Sequence, residues 1–293
     1  MRMKILTSRP VTVLAGQYVN LWVPSLNPWS WFQGSSFVVT SWSADKQRTL
    51  HLYAESHQRK FGFKWLLERQ AKNRLLHNLT WFTGPHGTSE PVSQYETVLI
   101  VASNTGILAV KPYVEQLFHT VKQKISKTRR LHLVWQLSGL GVGDIIRIDM
   151  GEWINTLFCD DVDKKLFYED ELKGSIHSDT ELKLPGNPML QISIFDPAGL
   201  IGLDVGIHGG RGQVLRGPAE FDAILKEEVR GHRNRRSEDV KGESGEMLVM
   251  VSATDGVRDG LQEAVKAHLK WVKFVKLEYQ PQTKTKVRVL SEE

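Results

Sequence analysis

Apolar and polar positions change their spacing once along the chain. Up to about residue 56 they alternate in short runs. "VTVLAGQYVNLWVP" (11–24), "SSFVVTSWS" (35–43) and "RTLHLYAES" (48–56) are rich in β-branched and aromatic residues and predict strands. Strands this short and this close together predict a small antiparallel barrel. "GFKWLLERQAKNRLL" (62–76) interrupts them; Phe63, Leu66, Leu67, Leu75 and Leu76 predict a short helix. "TGPHGTSEPVSQ" (83–94) is dense in glycine, proline and small polar residues and marks a domain boundary.

Past that boundary the texture is that of an α/β protein. "ETVLIVAS" (96–103) is an uninterrupted apolar strand, as expected of a sheet covered on both faces. "VKPYVEQLFHTVKQKI" predicts a helix. "RRLHLVWQL", "LQISIFD" and "GEMLVMVSA" predict three more strands, and "GLQEAVKAHLK" a late helix. The expected fold class is therefore all-β followed by α/β, with a parallel sheet in the second part. The domains are 1–88 and 89–293. The second carries a charged, aperiodic insertion around 164–186 and a charged solvated loop around 229–246.

Composition narrows the classes. With 293 residues, 41% hydrophobic and 24% charged, the chain has the make-up of a soluble two-domain globular protein. No run of about 18 uncharged apolar residues predicts a transmembrane helix. A single cysteine, Cys159, excludes an internal disulfide framework and reads as a buried small residue. Basic residues exceed acidic ones by five, spread out, which argues against nucleic acid as partner. No His, Cys or Asp cluster has metal-ligand spacing. "HGGRGQ" (208–213) lacks the lysine and serine of a phosphate loop and reads as a flexible turn. "NPWSWFQG" (27–34) clusters Trp29, Trp31 and Phe32, either as a membrane-side surface or as a loop folded over the barrel.

The strand, polar turn and helix start across "VLIVASNTGILAVKPYVEQLF" (98–118) can be either an ordinary turn or a dinucleotide cradle. In a doubly wound sheet the loop Ser103 to Gly106 would lie at the carboxyl end of its strand, where ligands bind. Gly106 allows close backbone approach, and the free N–H groups of a helix start favour a pyrophosphate. Pro112 is expected near the end of the first helical turn.

In order and spacing, "GQYVNLWVP", "SSFVVTSW", "RKFGFKWLL", "GPHG", "VLIVASNTGILAVKPYVEQL" and "VSATDGVRDGLQEAV" resemble the cytosolic half of fungal ferric-chelate reductases, relatives of the NADPH oxidases within the ferredoxin-reductase-like superfamily. The resemblance covers nearly the whole chain. It implies a flavin barrel, starting at or just past its first strand, and a nicotinamide-nucleotide domain. The implied cofactors are FAD and NADPH. The implied partner is a haem-bearing membrane domain on a longer or separate chain, which would put these residues on the cytoplasmic face of a membrane.

Residue by residue, the flavin-lining His-Pro-Phe-Thr/Val pattern of the family falls on Ser35, Ser36, Phe37 and Val38. Its pyrophosphate-binding Gly-Phe-Thr falls on Gly62, Phe63 and Lys64. Its Gly-Gly-Ser/Thr-Gly-Ile loop falls on Ser103, Asn104, Thr105, Gly106 and Ile107. Asparagine tolerates positive φ, so that loop shape can persist. The nucleotide contact after the next strand falls on Gln136, with Trp135 beside it in the core. The Cys-Gly-Pro motif falls on Ser252, Ala253 and Thr254, followed by Asp255, with serine at the place of the cysteine beside the nicotinamide. Family members commonly end on an aromatic that covers the flavin; here the nearest is Tyr279. These substitutions leave two readings open: an electron-transferring flavoenzyme, or a non-catalytic nucleotide-binding or regulatory relative.

Overall fold

The computed structural model describes residues 2–22, 34–54, 80–137, 144–164, 190–199, 212–238 and 245–279. In the first lobe β1 (Arg2–Val11) pairs antiparallel with β4 (Gln47–Tyr53). β2 (Tyr18–Trp22) lies between β3 (Ser35–Val38) and β5 (Trp81–His86). The two sheets are joined where the Thr40 N–H donates to the His51 carbonyl at 2.9 Å. The run 11–24 is not one strand. Gly16, at φ +82°, turns the chain between β1 and β2, and a Cβ there would meet the Tyr113 hydroxyl at 2.2 Å. Alternate residues Val19, Leu21, Phe37, Val39, Leu50 and Leu52 fill the barrel core.

The second lobe is a six-stranded, all-parallel sheet in the order β11-β10-β6-β7-β8-β9. Its strands are β6 (Thr97–Ser103), β7 (Arg130–Gln136), β8 (Leu190–Phe195), β9 (Gly212–Leu215), β10 (Met247–Ser252) and β11 (Val272–Lys276). All seven residues of β6 are buried. Helices α1 (Ile107–Lys122) and α2 (Asp144–Lys164) cover one face, with Leu108, Leu117, Ile154 and Phe158 against Ile100, Leu133 and Ile192. Helices α3 (Phe221–Glu238) and α4 (Asp255–Lys266) cover the other, with Leu225, Val229, Leu261 and Val265 against Leu99, Val101 and Val249. The chain lays down β6 to β9 in one direction and then returns to add β10 and β11 on the opposite side, so the switch point lies between β6 and β10.

Several expectations are corrected. The charged segment from Val229 onward is helix as far as Glu238, not a solvated loop. Its buried positions Leu225, Glu228, Val229 and His232 share one face, and the polar two find partners on the sheet. Gly212 and Gln213 belong to β9 rather than to a turn. Pro112 sits in the second turn of α1, removing a helix hydrogen bond, and is buried against the core. Cys159 is exposed on α2. The 62–76 segment expected as a helix, the aromatic cluster at 27–33 and the insertion at 165–186 lie outside the described residues. Among the described residues no helix is long and apolar enough to cross a membrane.

Candidate functional site

At the carboxyl ends of β6 and β10 a cleft of about 560 Å³ opens, which is the position the sheet's switch point dictates. Ser103, Asn104, Thr105 and Gly106 line one side. Ser252, Ala253, Thr254 and Asp255 line the next, with Arg258 on α4 and Lys276, Leu277, Glu278 and Tyr279 after β11. The two sequence motifs, some 150 positions apart, thus meet because β6 and β10 are neighbours, with Ala102 opposite Ser252 in the register.

The loop is built for close approach, but to its own chain. A Cβ on Gly106 would stand 1.9 Å from the Ser252 carbonyl oxygen. Gly106 has φ −56°, so it is required by contact rather than by backbone freedom. Asn104 takes the left-handed conformation at φ +49°. Its carbonyl accepts from the buried Trp135 indole N–H at 2.9 Å, and the Ser103 hydroxyl accepts from the Thr254 N–H at 2.8 Å. A tryptophan and a serine therefore brace the loop from both sides.

Two helix starts face this space. The turn Asn104 to Gly106 runs into α1, and α4 begins at Asp255; no side chain caps the N-terminus of either helix. Uncapped N–H groups carry partial positive charge and accommodate an anion. Ser252 is only 2% exposed, and among the described residues nothing hydrogen-bonds its hydroxyl. Arg258 is held by Asp255 at 2.9 Å and Asp259 at 3.1 Å, and these carboxylates raise its pKa further. Lys276 lines the cleft with no carboxylate partner among the described residues. Tyr279 fixes the far wall by donating its hydroxyl to the Tyr53 carbonyl at 2.9 Å, and the Leu277 N–H donates to Val251.

The structure thus brings Asn104, Thr105, Gly106, Ser252, Ala253 and Asp255 together. Ile107 is fully buried in the core behind the loop. Gln136 ends β7 and its Oε1 accepts from the Ala219 N–H at 3.2 Å. Ser35, Ser36, Phe37 and Val38 are all buried on β3. Phe37 faces the barrel core, whereas Ser36 and Val38 lie on the other face opposite Asn20 and Tyr18. The Ser36 hydroxyl donates to Asn20 Oδ1 at 2.6 Å. Gly62, Phe63 and Lys64 lie outside the described residues. Arg258, Lys276 and Glu278 were missed by sequence reading; the one signal near them is the "LEY" ending of the last apolar strand, where Tyr279 stands as the nearest aromatic to the end.

A separate polar cluster lies beneath α3. Glu228 receives the Arg130 guanidinium at both carboxylate oxygens, and His132 joins it at 2.8 Å. His132 Nε2 meets the Ser193 hydroxyl at 3.0 Å. Burial pushes the Glu228 carboxyl up, but hydrogen bonds from Arg130 and His132 outweigh this and pull it down to about 2. All four residues are at most 5% exposed, so the arrangement is a closed structural network despite its serine, histidine and glutamate.

No protein-family model and no curated protein matches this sequence. Solved structures do match. The CS-b5R domains of human Ncb5or, in the NAD+ form, superpose with a TM-score of 0.52 at 12% identity, covering 93% of this chain and 64% of that one. Amycolatopsis cytochrome P450 reductase GcoB gives 0.46 at 14% identity, covering 94% of this chain and 65% of that one. A mutant ferredoxin-NADP+ reductase of Plasmodium falciparum gives 0.47 at 10% identity, covering 94% and 88%. The chain spans less than two thirds of the length of the first two. Antiparallel sheets followed by a six-stranded parallel sheet, matched over nearly all of its length, give this chain the ferredoxin-reductase-like fold.

Proposed function

We propose that the chain is an FAD-dependent NADPH oxidoreductase of the ferric-chelate reductase type, passing electrons to a haem or ferric acceptor. The observation that carries this reading is the cleft at the switch point between β6 and β10, which joins both nucleotide motifs. Asn104 to Gly106 and the start of α1 would hold a pyrophosphate through backbone N–H groups. Lys276 adds a cation for a phosphate oxygen. Ser252, which lines the cleft, would orient a nicotinamide by hydrogen bonding. Tyr279 would shield the reacting face from water. On the barrel side, Ser36 and Val38 present the β3 face that would meet a flavin ring. Flavin, when bound, supplies hydride acceptance and one-electron delivery; the protein positions the rings and excludes solvent.

A second reading, a non-catalytic nucleotide-binding or regulatory relative, is favoured by one specific contact: the Ser36 hydroxyl is already taken by Asn20. Rapid mixing of the FAD-loaded chain with NADPH separates the two. The oxidoreductase loses its flavin absorbance band within the enzyme's turnover time. Nucleotide binding by calorimetry with an unchanged band would establish the regulatory reading instead, and a chain that takes up neither FAD nor NADPH sinks both.

A further inference from the structure

A second cavity, of about 220 Å³, lies on the barrel away from the cleft and is lined by Arg2, Met3, Lys4 and His51. Lys4 and His51 are direct cross-strand partners on β1 and β4. Arg2 stands two residues before Lys4, so the pleat sets all three basic side chains on one face. Like charges placed this way repel one another. Among the described residues no carboxylate lines the cavity. Asp149 of α2 lies close by, accepting from Arg2 at 3.2 Å and from the Tyr53 hydroxyl at 2.6 Å. Among the described residues that contact uses one Nη of Arg2, and a guanidinium fork carries further donors.

His51 reports the local field. Burial lowers its pKa first, and Lys4, Lys111 and Arg2 push the same way, with Asp149 alone opposing. These influences favour the neutral imidazole, so the site's fixed positive charge is that of its arginine and lysine. An entering anion would reverse the balance and favour the imidazolium. The space equals about seven water volumes, room for a phosphate with a short organic group.

We propose that this cavity binds the phosphate group of a small phosphomonoester, with Arg2 and Lys4 as fixed cations and His51 donating a hydrogen bond. A phosphomonoester carries about −1.5 to −2 charges near neutrality, which matches two cations better than a single carboxylate does.

The test is an NMR titration of the isotopically labelled full chain with glycerol phosphate at constant ionic strength. The His51 ring signals are assigned by their loss in His51→Gln. A saturable, millimolar-range shift, with the His51 titration midpoint moved upward, is expected. Lys4→Gln or Arg2→Gln should weaken binding at least fivefold, while Lys46→Gln, remote from the cavity, leaves it unchanged; thermal melts verify that each variant is folded. A shift that never saturates, that chloride reproduces, or that persists undiminished in both Lys4→Gln and Arg2→Gln overturns the proposal. Tighter binding of inorganic phosphate than of glycerol phosphate overturns the assignment to an ester.

Discussion

The second lobe handles its polar side chains in two opposite ways. Beneath α3, Arg130, His132, Ser193 and Glu228 satisfy one another in a space closed to water. At the carboxyl ends of β6 and β10, Thr105, Thr254 and Lys276 border open space, and the helix starts lack side-chain caps. The serine, histidine and glutamate of the first group have the hydrogen-bond order of a hydrolytic triad. Their burial and the Arg130 guanidinium convert them into an internal tie. The second group contains no such constellation, yet has the volume and the unused donors a ligand needs. Residue types alone do not separate the two regions; accessibility and hydrogen-bond satisfaction do.

The sharpest way to break this comparison is to open the closed network. Glu228→Ala strands a buried guanidinium and should lower unfolding free energy by about 3–5 kcal/mol, measured by urea denaturation. A loss below 1 kcal/mol would mean that the network is not a structural tie. The same carboxylate predicts a pH dependence. Its folded pKa of about 2 lies below its ordinary 4.5. Its contribution is therefore complete above pH 4.5 and fades as pH falls from there toward 2. Glu228→Gln should flatten that part of the stability–pH curve.

Gly106→Ala acts on the wall of the cleft. Its methyl would collide with the Ser252 carbonyl, so β10 and the start of α1 must separate. A stability loss of about 1–3 kcal/mol is expected, accompanied by weaker NADPH binding in calorimetry. Unchanged affinity in a destabilised protein would show that the loop does not hold the nucleotide.

Ser252→Ala is the complementary case. Among the described residues nothing hydrogen-bonds this hydroxyl, so stability should stay within about 0.5 kcal/mol of the parent. NADPH affinity should fall about fivefold, the value of one hydrogen bond of about 1 kcal/mol. If the melt moves and the affinity does not, Ser252 belongs with the closed group. The smallest effect is expected for Lys226→Ala. It removes an exposed ion pair to Asp222 on the outer side of α3, and a change of about 0.3–0.5 kcal/mol is expected in the same denaturation series.

Much of this fold was legible because its signals are local. The apolar run of β6 exists only because both sheet faces are covered, and the sequence shows that directly. Helix α3 was not legible. Its buried face carries Glu228 and His232 among Leu225 and Val229, and a polar residue reads as exposed until its partner on another strand is known. Cys159 failed in the converse way: a residue type that is usually buried sits on the outer side of α2.

The amino-acid order by itself determined the change from antiparallel strands to an α/β pattern, the strands β6, β7, β8 and β10 with helices α1 and α4, and the two loops at Ser103–Gly106 and Ser252–Asp255. Each depends on contacts within a few positions along the chain. Only the tertiary structure decided that these loops share one cleft, that Lys276 and Tyr279 border it, and that Arg2, Lys4 and His51 gather around a second cavity. Those outcomes rest on strand order and on pairings between residues dozens to more than a hundred positions apart, and no periodicity along a single chain encodes them.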